Sequence, residues 1–115
     1  GMEYMEEEEG RIKGGNWTKD VVFYWSSVSG NLKSKTETDK IEQLLTVKKI
    51  PFNPIDVSMN PIAKEYMKTK SEHPIPTTVP QLFFNGVYLG DWEFLSEANE
   101  NGDLLDLFGM GELII

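Results

Sequence analysis

The stretch Thr78-Val79-Pro80-Gln81-Leu82-Phe83-Phe84-Asn85-Gly86-Val87-Tyr88-Leu89-Gly90-Asp91 constrains the fold of this chain more than any other. Leu82-Phe83-Phe84 and Val87-Tyr88-Leu89 are short apolar runs of strand composition, and Asn85-Gly86 between them tolerates positive φ at both positions. The pattern predicts a β-hairpin. A proline cannot donate to a sheet ladder, so Pro80 belongs at the entrance of the first strand. The peptide group of Val79 then faces outward, where another group can pair with it. Asp91 is suited to cap a helix after the hairpin.

Upstream, Val21-Val22-Phe23-Tyr24-Trp25 is β-branched and aromatic throughout, the composition of a central strand covered on both faces. Ser26-Ser27-Val28-Ser29-Gly30-Asn31 ends that strand with small polar residues and offers several helix caps. A helix is predicted from about Asn31 to Val47, with Ser34-Lys35-Thr36-Glu37 as a capping box and Ile41, Leu44 and Leu45 on one face. Pro51 and Pro54 bracket a short strand over 52–57. Asn60-Pro61 opens a second helix to about Lys70, expected to bury Ile62 and Tyr66, with Ala63 and Met67 as further candidates. Ser71 to Thr77, which holds Pro74 and Pro76, reads as an extended loop leading to Pro80. A third helix with Phe94, Leu95 and Ala98 on one face ends at Asn101-Gly102, and a short fourth over 103–108 stops at Gly109. Strand, helix and strand in succession imply a parallel pair with a right-handed crossover, and the hairpin makes the sheet mixed.

Three fragments carry a family resemblance. Phe23-Tyr24 runs into Ser26-Ser27-Val28-Ser29-Gly30, Pro80-Gln81-Leu82-Phe83 leads through Asn85 to Gly90-Asp91-Trp92, and Glu97-Ala98-Asn99-Glu100-Asn101 follows. In this order they resemble the SH3-domain-binding glutamic-acid-rich-like proteins, a cysteine-poor branch of the glutaredoxin-like group. The resemblance covers about Asp20 to Phe108. It implies an α/β fold, a thioredoxin/glutaredoxin-like three-layer α/β/α sandwich with a four-stranded mixed sheet. It also makes Val79-Pro80 the cis-proline region and puts Ser26 to Gly30 where a redox relative carries its cysteine motif. We expect one glutaredoxin-like domain over 20–109, a flexible acidic tail over 1–19 and a short tail over 110–115.

The chain contains no cysteine. Glutaredoxin catalysis needs a thiolate held at a helix N-terminus, and the hydroxyls of Ser26, Ser27 and Ser29 cannot undergo thiol-disulfide exchange. His73 is the sole histidine and is expected to be a solvent-exposed structural residue, and no Gly-x-Ser-x-Gly elbow is present. The net charge of −8 opposes approach to nucleic acid or anionic lipid. Gly1 reads as a remnant of tag cleavage. No apolar run of membrane-spanning length occurs, and acidic residues stand where a secretory signal needs basic ones, so the expected location is cytoplasmic.

The resemblance also defines a candidate groove. In glutaredoxins the residue before the cis-proline pairs with the cysteine of glutathione, and a Gly-Gly-x-Asp turn holds its γ-glutamyl end. Thr78, Val79 and Pro80 match the first feature and Gly90 the second glycine, but Leu89 replaces the first glycine and Trp92 stands where the aspartate would be. Glutathione binding is therefore expected to be weak or absent, with no other cofactor and no metal. We read Trp25, Ser26, Ser27, Ser29, Thr78, Val79, Pro80, Gly90, Asp91 and Trp92 as a ligand or partner groove without catalytic residues, with Tyr88 nearby. The function this implies is a non-catalytic binding or adaptor module engaging a protein partner. The alternative is a glutathione-binding protein or weak transferase in which Ser26 or Ser29 orients the thiol. A third reading, a subunit of a larger assembly, would use Trp17 and Met110 to Ile115. The only Pro-x-x-Pro, Pro51 to Pro54, lies at the start of a strand, which leaves SH3-domain binding open.

Overall fold

A computed structural model describes residues 21–109. These residues form four strands and four helices: β1 (Val21–Trp25), α1 (Leu32–Val47), β2 (Asn53–Asp56), α2 (Pro61–Lys70), β3 (Gln81–Phe84), β4 (Val87–Gly90), α3 (Trp92–Glu100) and α4 (Leu104–Leu107). The sheet order is β2-β1-β3-β4. β1 runs parallel to β2 and antiparallel to β3, and β3 is antiparallel to β4, so the sheet is mixed as expected. Asn85 and Gly86 join the hairpin with φ of 53° and 83°.

The alternation of β1 decides which side chains face which layer. Val21 and Phe23 point to one side, where Ile41 and Leu45 of α1, Leu82, Leu95 and Ala98 of α3, and Leu104 form one core. Val22 and Tyr24 point to the other, where Ile55, Val57, Phe83 and the α2 residues Ala63 and Met67 form a second. Helices thus cover both faces of the sheet, the three-layer arrangement of the thioredoxin-like fold. Pro54 lies inside β2, opposite Phe23, where an edge strand tolerates the missing N–H.

Two local expectations change. Ser34 does not cap α1: Asn31 does, accepting from the N–H groups of Lys33 at 2.8 Å and Ser34 at 3.2 Å, and Ser34 sits one turn inside. Ile62 is 57% exposed, because α2 meets the sheet through Ala63 and Met67 while Tyr66 is half-buried beside them. The acidic tail, Trp17 and the segment over 110–115 lie outside the described residues.

Candidate functional site

The first turn of α1 meets the chain ahead of β3. Val79-Pro80 is a cis peptide, and Pro80 is buried at the head of β3. The Ser34 hydroxyl, almost fully buried, donates to the Val79 carbonyl at 2.9 Å. Thr38 Oγ1 in turn donates to the Ser34 carbonyl at 2.8 Å. One face of the peptide that a glutaredoxin would offer to glutathione is therefore already engaged by the chain itself. The Ser29 hydroxyl accepts from Asn31 N–H at 3.3 Å, which folds it into the α1 cap. At the rim of this cap Val28 and Leu32 stand 74% and 76% exposed.

A second set of contacts fixes the proline loop. Buried Gln81 donates through Nε2 to the carbonyls of Thr78 at 2.6 Å and Pro76 at 2.8 Å, and its Oε1 accepts from Ser71 Oγ at 2.8 Å. His73 departs from the expectation of an exposed residue, since its side chain is only 16% exposed. Its Nδ1 accepts from Ile75 N–H at 2.9 Å, and its Nε2 lies 3.5 Å from Asp91 Oδ2. Asp91 Oδ1 meanwhile caps α3 by accepting from Phe94 N–H at 3.1 Å. Gly90 packs under the Phe94 ring so closely that an added Cβ would lie 2.6 Å from it. Tyr88 flanks this corner; burial first, then the negative charges of Asp91 and Glu72, push its hydroxyl above the usual range.

The remaining expected residues separate. Trp25 and Trp92 line two different cavities on opposite flanks of α1: Trp25 with Thr38, Asp39 and Glu42, and Trp92 with Lys40, Gln43, Leu44 and Val47. Ser27 belongs with Trp25, because its N–H donates to Asp56 Oδ1 at 3.2 Å and its hydroxyl lies 3.2 Å from that of Ser58. Ser58 adds two bonds to the same oxygen, 3.0 Å from N–H and 2.6 Å from Oγ. Partial desolvation pushes the Asp56 carboxyl up, but the hydrogen bonds from Ser27 and Ser58 outweigh it and hold it below its ordinary value. Ser26 is half-buried at the end of β1.

Similarity to known proteins decides the family. The sequence model of the family described as SH3-binding, glutamic acid-rich protein matches residues 20–110. The chain belongs to that family. The SH3 domain-binding glutamic acid-rich protein homolog of Drosophila melanogaster is 31% identical over 99 residues, 74% of this chain. The chain spans 60% of that protein's length and 25% of a 31% identical, uncharacterized Arabidopsis thaliana relative. Among solved structures, actin interacting protein 5 is similar with a TM-score of 0.60 at 28% identity, covering 77% of this chain and 96% of that one. Holo glutaredoxin C1 of Populus tremula x tremuloides gives a TM-score of 0.60 at 17% identity over 88% of this chain and 91% of its own, a likeness of fold.

Among the described residues, this family member has no cluster of three His, Asp or Glu side chains able to hold a metal, and no helix long and apolar enough to cross a membrane. The residue that sequence reasoning missed is Ser34. Its spacing to Glu37 reads as a capping box, and that local match carries no information about a bond to a residue 45 positions along the chain. The local signal against a cap at Ser34 is Asn31 three residues earlier, an equally good cap residue at the true helix start.

Proposed function

We propose that this chain is a non-catalytic glutaredoxin-like binding module that engages a protein partner beside the α1 N-terminus and the cis-proline. The observation that carries the reading is the exposure of Val28 and Leu32. Two large apolar side chains stand in water on either side of the Asn31 cap, where a redox relative would hold its nucleophile. Large apolar side chains exposed to water are candidate anchors for a partner. The chain supplies no thiolate for exchange, and the Ser34 hydroxyl takes one of the two acceptor sites of the Val79 carbonyl. Both argue against a glutathione-dependent reaction. The names of the related proteins, SH3-binding and actin-interacting, support a protein as the partner class.

The test is a pair of measurements on the full chain. Titration with glutathione, followed by amide shifts at Val79, Gly90, Asp91 and Ser26 to Asn31, should give no saturable change. Saturable shifts confined to those residues would instead support glutathione binding with Ser26 or Ser29 at the thiol. A photo-crosslinking side chain placed at Leu32 should then capture a discrete partner that the same probe at Ile62, on the opposite layer, does not. Capture from Ile62 alone would move the interface to α2 and overturn the groove reading.

A further inference from the structure

Trp25 and Asp56 are register partners on β1 and β2, so their side chains leave the same face of the sheet, the one covered by α1. There they meet Thr38, Asp39 and Glu42, which α1 brings to one flank by its helical spacing. With Phe23 and Pro54 these residues line a half-open cavity of about 370 Å³, within the usual range for ligand sites. Two aromatic rings and three carboxylates line it, and no lysine does.

Three observations select what the cavity fits. Trp92, on the other flank of α1, has its own chain's Lys40 ammonium 5.8 Å from its ring centre. No cation of the described residues stands over Trp25. Asp39, Glu42 and Asp56 are also not arranged to hold a metal ion, so the charge complement is an organic cation. A guanidinium is the cation that stacks flat on an aromatic ring while its N–H fork pairs with carboxylates. We propose that this cavity takes the side chain of an arginine presented by a basic segment of a partner protein. The site is separate from the cis-proline groove, so the two readings stand or fall independently.

The full chain, ¹⁵N-labelled, would be titrated with a short arginine peptide, with the same peptide carrying citrulline in place of arginine as the neutral control. The Trp25 indole N–H, assigned with Trp25→Phe, should shift saturably with the arginine peptide by about 10 mM, the weak end of the affinity scale, and not with citrulline. Asp39→Asn with Glu42→Gln, both at exposed positions, should weaken binding about tenfold, whereas Lys40→Gln on the opposite flank should change it less than about twofold. No shift at Trp25, equal shifts with citrulline, or insensitivity to the Asp39 and Glu42 changes would overturn the proposal. So would a Trp25 shift produced, before any peptide is added, by neutralising Arg11, Lys13 and Lys19, because the chain's own basic residues would then fill the cavity.

Discussion

Ser34 Oγ donates a 2.9 Å hydrogen bond to the carbonyl of Val79 and so ties the first turn of α1 to the peptide preceding Pro80. It joins two segments that meet only in the folded chain. In this cysteine-free protein a serine hydroxyl spends its bond on the backbone that a glutaredoxin would present to glutathione.

Ser34→Ala leaves that carbonyl without its partner in a largely buried place. Stability should fall by about 1–3 kcal/mol, the cost of an unpaired buried polar group. Chemical denaturation checks the magnitude, and the Thr78 and Val79 amides should show the largest shifts. An unchanged midpoint would mean water replaces the hydroxyl at no cost.

Gly90 is fixed by packing against Phe94. In Gly90→Ala the new methyl would meet Cβ, Cγ and Cδ2 of Phe94 at 2.6–2.8 Å, and Cβ and Cγ cannot swing away as a ring edge can. A loss of about 1–3 kcal/mol is expected, typical of overpacking. Phe94→Ala in the same chain should recover part of it, so a thermal-unfolding double-mutant cycle should be non-additive. Additive losses would show that strain at Gly90 arises elsewhere.

Tyr24 is buried with its hydroxyl unpaired among the described residues. Burial first, then the charge of Tyr66, push its ionisation above the ordinary 10. A neutral native tyrosine facing an ionisable unfolded one contributes stability that is complete below about pH 10 and declines as pH rises beyond it. Tyr24→Phe should reduce that alkaline decline and raise stability at neutral pH by about 1 kcal/mol, because an unpaired hydroxyl is no longer buried. A less stable variant would reveal a partner for the hydroxyl.

Asp56 works on the acid side. Its carboxyl lies below the ordinary 3.8 in the folded chain, so its contribution is present above that value and lost as pH falls through the lowered native one. Asp56→Asn should flatten the dependence of the denaturation midpoint on pH below about 4. An unaltered acid slope would show that other carboxylates carry it.

The order of elements, the hairpin at Asn85-Gly86, the caps at Asn60 and Asp91 and the central place of β1 were legible in the chain. Each depends on residues a few positions apart, where periodicity, turn chemistry and capping act. The missing thiolate was legible as well, since chemistry that needs a cysteine is excluded by composition alone. Tertiary structure alone decided the partners of the site residues. Ser34 turns from a helix cap into a long-range tether, His73 from an exposed loop residue into a bridge to Asp91, and Trp25 and Trp92 from one groove into two cavities. The physical reason is that a side chain's direction follows from its place on a packed helix or pleated strand. Its neighbours there come from parts of the chain that no local pattern brings together.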